Sequence, residues 1–116
     1  MAVYFIQAGE GGPIKIGATT SDPWSRMASF QGMHFAELRM LGLAPGRFAE
    51  EKEIQVRFVR HWLGGEWFRP DPEILAFAAQ HYVPPPAGFP RERRYRNGTA
   101  RLKKAHDRLM AAEVAA

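Results

Sequence analysis

The fold is decided by a short stretch near the N-terminus, AVYFIQ-AGEGGP-IKIGAT at residues 2–19. Residues 2–7 and 13–19 are runs rich in β-branched and aromatic side chains, which are typical of strands. The glycines and the proline of residues 8–13 favour a hairpin turn between them. If Gln7 pairs with Ile14, then Tyr4, Lys15 and Gly17 share one face of the hairpin. A slip of one residue would separate them, and the sequence leaves both registers open.

The rest of the body alternates helix and strand signals. Asp22-Pro23 is a helix-start signal, with the predicted helix ending near Phe30, and residues 37–43 alternate as a third strand. Residues 47–63 form the longest helical pattern, stopped by two glycines, and Asp71-Pro72 starts a helix to about residue 80. The order ββαβαα predicts an α+β domain with a three-stranded antiparallel sheet flanked by helices.

The positive charge lies almost entirely behind a proline-rich segment. The chain has 116 residues and a formal charge of +4, but residues 1–88 carry a net charge of −1. We therefore divide it into a domain at 1–83, a linker at 84–90 and a basic, helical tail at 91–116. Eight basic residues of the tail are candidate nucleic-acid contacts: Arg91, Arg93, Arg94, Arg96, Arg101, Lys103, Lys104 and Arg108.

Composition excludes several classes of protein. There is no cysteine, which rules out disulfide scaffolds, cysteine-based zinc sites and thiol catalysis. No apolar run approaches the roughly 20 residues that span a bilayer, and no leader precedes the first strand. We expect a soluble protein of a reducing compartment such as the cytoplasm, with no membrane partner.

One acid does not fit the helical pattern of residues 47–63. On a helical wheel Phe48, Ile54, Phe58, Val59 and Trp62 share an apolar arc, and Glu51 falls in its middle with Gln55 one turn on. A carboxylate in a packed face is costly unless it is paired or bound to a cation. A structural pair with Arg26 or Lys15 and a functional site are both open interpretations.

Several short motifs occur in a fixed order between residues 2 and 80: Val3-Tyr4-Phe5-Ile6, Lys15-Ile16-Gly17, Asp22-Pro23 with Arg26, Phe30-Gln31, Glu51 with Ile54 and Phe58, and Gly65-Glu66-Trp67-Phe68. Each is weak alone. Together they resemble the GIY-YIG nuclease superfamily, in particular a branch found in phages and bacteria. The resemblance implies an endonuclease that depends on a single divalent ion, Mg²⁺ or Mn²⁺.

The resemblance also implies a role for each matching residue. Tyr4 inherits the tyrosine beside the attacking water, Arg26 the contact to the scissile phosphate, and Glu51 the metal ligand. Lys15 stands where the wider superfamily has a second tyrosine, and it either activates Tyr4 or binds phosphate. Because phenol is a poor base at a pKa of about 10, we expect Lys15 or the metal to lower the pKa of Tyr4.

The sequence also departs from the branch pattern. Gln55 replaces a helix histidine and so removes a proton carrier or a phosphate contact. His34 is a candidate to compensate, and Gly17 completes the second motif. Glu66 is assigned a structural role, with Trp67 and Phe68 in the core.

Two functions from different classes follow. The first is a DNA endonuclease with catalytic Tyr4, Lys15, Arg26 and Glu51. The alternative is a nucleic-acid-binding module that keeps the fold without turnover. For the tail, the open interpretations are a DNA-binding arm, a solvated extension and a helix that binds a protein partner.

Overall fold

A computed structural model describes residues 1–89 and 99–115 of the chain. Five strands and four helices are found there, with a 3₁₀ turn at Val59–His61 between α2 and β4. In chain order they are β1 (Ala2–Ala8), β2 (Ile14–Thr19), α1 (Pro23–Gln31), β3 (Leu38–Pro45), α2 (Phe48–Arg57), β4 (Trp62–Gly64), β5 (Trp67–Phe68), α3 (Pro72–Ala79) and α4 (Thr99–Ala115).

The strands form one antiparallel sheet in the order β3-β1-β2-β5-β4. The α+β class is therefore confirmed, but the sheet has five strands where we expected three. The two additional strands come from a hairpin at residues 62–68. Its turn uses Gly64 and Gly65, whose φ values of 147° and 54° are ones that side chains disfavour.

The β1–β2 hairpin adopts the register that brings the candidate residues together. Gln7 pairs with Ile14, and Tyr4 pairs with Gly17. The turn between the strands uses Gly9 and Gly11 at φ values of 74° and 72°. Because directly paired residues share a face, Tyr4, Lys15 and Gly17 lie on the same side of the sheet.

Apolar side chains cover both faces of the sheet. On the face of Tyr4, helix α1 packs Trp24 and Met27 over Ile6. The opposite face holds Val3, Phe5, Ile14 and Ile16 against Phe58 and against Ile74 of α3. Helices α1 and α3 start as predicted, since Asp22 accepts a hydrogen bond from the Trp24 amide and Asp71 accepts one from the Glu73 amide.

The prediction of one long helix over residues 47–63 was wrong. Helix α2 ends at Arg57 because Phe58 leaves helical geometry and turns its ring into the core. Of the predicted apolar arc, Phe58 is fully buried and Ile54 is half-buried. Phe48, Val59 and Trp62 are 52%, 59% and 55% exposed, so they do not form a core stripe.

The segment after α3 returns to the body before the tail begins. Phe89, inside the predicted linker, packs edge-on against Trp24 with ring centres 5.1 Å apart. Helix α4 then carries the second half of the predicted tail. Among the helices of the described residues, none has the length and apolar character needed to cross a membrane.

Candidate active site

A cleft of about 510 Å³ lies beside the C-terminal end of β2, between α1 and the start of α2. Tyr4 reaches it from β1, Lys15 from β2, Arg26 from α1 and Glu51 from α2. Four side chains that the sequence predicts as catalytic therefore converge from four separate elements. Glu66, from the turn between β4 and β5, lines the same cleft.

The Tyr4 hydroxyl approaches Gly17 so closely that a residue with a β-carbon would not fit at position 17. A β-carbon on Gly17 would overlap the Tyr4 hydroxyl and would lie 2.7 Å from Glu66 Oε2. Gly17 does not have a positive φ, so its role is to leave room for these two oxygens. The third residue of the Lys15-Ile16-Gly17 motif thus shapes the floor of the cleft.

The ring of Phe30 supports both cations of the cleft. Lys15 Nζ lies 4.2 Å from the centre of this ring, and the Arg26 guanidinium carbon lies 4.9 Å from it. The Tyr4 ring is 6.2 Å away, centre to centre. Cations at these distances from an aromatic face are attracted by its quadrupole, so Phe30 holds Lys15 and Arg26 on the same side as Tyr4.

The position of Lys15 has two further supports. Its Nζ lies 4.0 Å from Glu66 Oε2 and 5.5 Å from the ring centre of Trp67. A structural ion pair between Glu51 and either Lys15 or Arg26 is not found among the described residues. Lys15 instead contacts the rings of Phe30 and Trp67 and forms its ion pair with Glu66.

Gln55 fixes the carboxylate of Glu51. The amide nitrogen of Gln55 donates to the Ile16 carbonyl at 2.8 Å and to Glu51 Oε1 at 3.2 Å. The first bond ties α2 to β2, and the second orients the carboxylate one helical turn away. Gln55 stands where the branch that the sequence resembles has a histidine, and its amide orients the Glu51 carboxylate.

The titration behaviour of the cleft is set by burial and by its acids. Burial and the nearby Glu66 carboxylate raise the pKa of Glu51 above its ordinary value. Burial also raises the pKa of Tyr4 to about 12, with Glu66 adding to the rise and Arg26 opposing it. The pKa of Tyr4 is therefore raised where we expected Lys15 or the metal to lower it, and the effect of a bound metal stays a prediction.

A hard divalent cation fits the acids of this cleft. Two carboxylates, those of Glu51 and Glu66, line this space, and the Glu66 charge disfavours the ionised form of Glu51 and so raises its pKa. Carboxylate oxygens are the ligands that Mg²⁺ and Mn²⁺ prefer, and added positive charge would relieve this repulsion. Glu51, oriented by Gln55, is the residue best placed to hold such an ion.

The remaining predicted residues lie outside the cleft. His34, in the loop after α1, contacts Trp67 with the rings tilted and their centres 5.4 Å apart, and it does not line the cleft. In the tail, Arg101, Lys103, Lys104 and Arg108 are exposed on α4. The other four predicted contacts, Arg91, Arg93, Arg94 and Arg96, fall outside the described residues.

Glu66 is the cleft residue that sequence reasoning missed. Its backbone carbonyl accepts a hydrogen bond from the Ile16 amide at 2.9 Å, in keeping with a structural role, while the residue also lines the cleft. The two preceding glycines, Gly64 and Gly65, were interpreted as a helix stop. Interpreted as a hairpin turn, they would have placed Glu66 beside β2.

A second group of ligand-type side chains, away from the cleft, has a structural explanation. His61 Nε2 lies 3.2 Å from Glu73 Oε2 and 3.5 Å from Asp71 Oδ1, and together the three have the composition of a metal site. Asp71 already caps α3, and the His61 contacts join the 3₁₀ turn to the start of that helix. These contacts account for the group without an ion.

No protein-family model, curated protein or solved structure matches the chain at a significant level. A functional interpretation therefore depends on the cleft residues themselves.

Proposed function

We propose that the chain is a GIY-YIG-type endonuclease that hydrolyses phosphodiester bonds in DNA with the help of one divalent ion. The observation that carries this proposal is the convergence of Tyr4, Lys15, Arg26 and Glu51 on a single cleft. Together a phenol, two cations and a carboxylate can position a water, neutralise phosphoryl oxygens and hold a divalent ion. The resemblance of the motifs to the superfamily supports the same conclusion independently of the geometry.

Hydrolysis needs a positioned water and neutralisation of the phosphoryl oxygens. Arg26 and Lys15, both held against Phe30, provide two positive charges for one phosphate group. The guanidinium of Arg26 suits bidentate contact with phosphate oxygens, while Lys15 acts as a point charge. The Tyr4 hydroxyl can donate a hydrogen bond to the water or to the phosphate.

Glu51 would hold the ion, Mg²⁺ or Mn²⁺, with Gln55 fixing the orientation of the carboxylate. Such an ion, when bound, supplies Lewis-acid stabilisation of the developing charge on oxygen. The raised pKa of Glu51 means that binding competes with protonation more strongly than for an exposed glutamate.

One observation favours the alternative of a binding module without turnover. The hydrogen bonds from the Gln55 amide to the Ile16 carbonyl and to Glu51 hold structure in place, and an amide carries no titratable proton. A module of this kind would bind DNA through Arg26, Lys15 and the basic tail in a manner that a chelator does not affect.

Cleavage of supercoiled plasmid by the full chain distinguishes the two functions. We expect nicking in Mg²⁺ or Mn²⁺ that EDTA abolishes and that Glu51→Gln reduces by at least 100-fold. Glu53→Gln, an exposed acid on the same helix, is the matched control and should cleave like the wild type. Binding without cleavage in any divalent ion would refute the nuclease and establish the module.

A further inference from the structure

The cleft extends past its charged groups, along β2 towards the start of α2. Lys15 lines it near the start of β2, and Thr19, Thr20 and Ser21 line it where the strand ends. We call the part lined by these three residues and by Phe48 the uncharged end. Because a strand rises about 3.3 Å per residue, Lys15 and Thr19 lie roughly 13 Å apart along the sheet. A cleft of this length, with a volume of about 510 Å³, has room for a nucleotide as well as for a lone phosphate.

The way α2 lies on β2 places Phe48 at the uncharged end. Gln55 donates to the Ile16 carbonyl at 2.8 Å, and one turn earlier Glu51 accepts a hydrogen bond from the Ala18 amide. The helix therefore runs back along the strand, with one helical turn for every two strand residues. Phe48 lies almost one further turn before Glu51, so its ring enters the cleft beyond the proposed metal ligand.

The Phe48 ring is the large apolar surface of the uncharged end. It is 52% exposed, and no other aromatic ring packs against it among residues 1–89 and 99–115. A single exposed aromatic is ordinary on a protein surface, but this one lies inside a cleft beside two cations. Proteins bind unpaired bases with this combination of an aromatic face and a positively charged groove.

The polar groups around Phe48 are hydroxyls. Thr20 and Ser21 are exposed, and the Ser21 hydroxyl lies 2.9 Å from that of Thr19. A hydroxyl both donates and accepts hydrogen bonds, so it suits the edge of any of the four bases. This end of the cleft thus offers a stacking surface and adaptable hydrogen bonding, with little means to select one base over another.

We infer that the uncharged end is a subsite for an unpaired nucleobase, which stacks on Phe48 while an adjacent phosphate contacts Lys15 and Arg26. This inference rests on the proposed function and deepens it, because it names the substrate class as single-stranded or locally unpaired DNA. In an intact duplex the bases stack on one another, so a base must leave the helix before it can meet the ring. Supercoiled plasmid remains a substrate, since negative supercoiling favours local unpairing.

Cleavage of one labelled oligonucleotide by the full chain in Mn²⁺, single-stranded or annealed to its complement, tests the subsite. We expect kcat/KM to be at least about tenfold higher on the single strand, because the duplex must first be unpaired. Phe48→Leu keeps an apolar side chain and removes the flat ring, so it should lower kcat/KM on the single strand about 5-fold or more. Phe48→Trp should restore the wild-type value.

Phe35→Leu is the matched control for this series. Phe35 is 89% exposed and does not line the cleft, so its replacement should leave kcat/KM on both substrates as in the wild type. If Phe48→Leu lowers cleavage of the single strand and the duplex by the same factor, Phe48 shapes the cleft rather than binding a base, and the subsite is overturned.

A second measurement does not depend on cleavage. In EDTA, a short purine-rich single strand should shift the NMR signal of the labelled Phe48 ring through the ring current of a stacked base. The Phe35 signal should stay in place, and a strand of the same length made of abasic sites should move neither. Failure of the purine-rich strand to bind, or a Phe48 signal unchanged at saturation, would overturn the subsite.

The outcomes separate this inference from the proposed function. Equal cleavage of the two substrates, unaffected by Phe48→Leu, refutes the subsite and leaves the nuclease intact. A base-dependent shift of the Phe48 signal without cleavage in any divalent ion refutes the nuclease and retains the subsite, which then belongs to the alternative binding module.

Discussion

The hydroxyl of Tyr4 lies so close to Gly17 that a β-carbon on this residue would overlap it. The antiparallel pairing of these two residues produces the contact, since it places them opposite each other on one face of the sheet. Glu66 reaches the same point from the β4–β5 turn. A single missing side chain thus makes space for two oxygens of the proposed active site.

Gly17→Ala should therefore disable the cleft. The added methyl must displace the Tyr4 ring or the Glu66 carboxylate, and overpacking of this kind costs about 1–3 kcal/mol of stability. We expect plasmid cleavage to fall at least 10-fold, measured below the melting temperature of the variant. Cleavage at the wild-type rate, with the variant folded, would show that the approach of Tyr4 to Gly17 has no part in the reaction.

The folded chain is less stable when Glu51 is ionised than when it is protonated. Its folded-state pKa lies above the unfolded value, so above that unfolded value the folded chain holds more protons and stability falls as the pH rises. Glu51→Gln should accordingly melt at a higher temperature than the wild type at pH 8, in the absence of divalent ions. The difference should shrink as the pH falls towards the ordinary glutamate value of 4.5.

Thermal unfolding at several pH values measures this difference, with Glu53→Gln as the control that should show none. A Glu51→Gln variant less stable than the wild type at pH 8 would contradict the raised pKa. It would assign Glu51 to the structural pairing that the helical wheel left open.

Tyr4 should titrate last among the tyrosines. Burial and Glu66 raise its pKa to about 12 from an ordinary value of 10.0, so the chain loses stability as the pH rises through this interval. NMR of labelled tyrosine, assigned with Tyr4→Phe, measures the value. A Tyr4 signal that titrates at or below pH 10 would contradict the effect of burial and of Glu66 on this phenol.

The two halves of the predicted helix 47–63 should respond differently to truncation. Phe58 is fully buried, so Phe58→Ala should cost about 3–5 kcal/mol in the free energy of unfolding. Val59 is exposed, and Val59→Ala should change it by no more than about 0.5 kcal/mol. Urea unfolding of both variants gives the comparison, and similar costs would contradict the ending of α2 at Arg57.

Local patterns predicted the parts of the fold that depend on neighbours in sequence. The two runs of β-branched and aromatic residues around a glycine-rich turn predicted the hairpin, and the aspartate–proline pairs predicted the starts of α1 and α3. Glu51 was identified as anomalous, although the apolar arc around it was drawn partly from residues that are exposed. Glu51 lines the cleft between α1 and α2, and the periodicity of a single helix cannot reveal a space between two helices.

Contacts between distant segments account for the rest. The apolar spacing of a helix continues through Val59, Trp62 and Leu63. The helix nevertheless ends before Phe58, because the ring of Phe58 packs into the core against β1 and β2. The chain then returns as the β4–β5 hairpin, in which β5 pairs with β2 through Trp67 and Lys15. That pairing brings Glu66 to the cleft, and the local signal for it, the turn at Gly64 and Gly65, was interpreted as the end of a helix.

Deletion of the tail should weaken DNA binding and make it less sensitive to salt. The cut belongs after Phe89 rather than at the first proline, because Phe89 packs against Trp24 and its loss would disturb α1, which carries Arg26. Each phosphate that a basic side chain neutralises adds about 0.9 to the slope of log K against log salt. If the arm binds DNA, the full chain should show a slope several units steeper than residues 1–89.

Replacing Arg101, Lys103, Lys104 and Arg108 on α4 by glutamine separates charge from chain length. We expect this variant to lose up to about 3–4 units of slope, measured by fluorescence anisotropy with a labelled duplex over a range of salt concentrations. Nicking by the cleft at saturating protein should persist, because none of the four lines it. Identical slopes for the full chain and both variants would make the tail a solvated extension and confine DNA binding to the body.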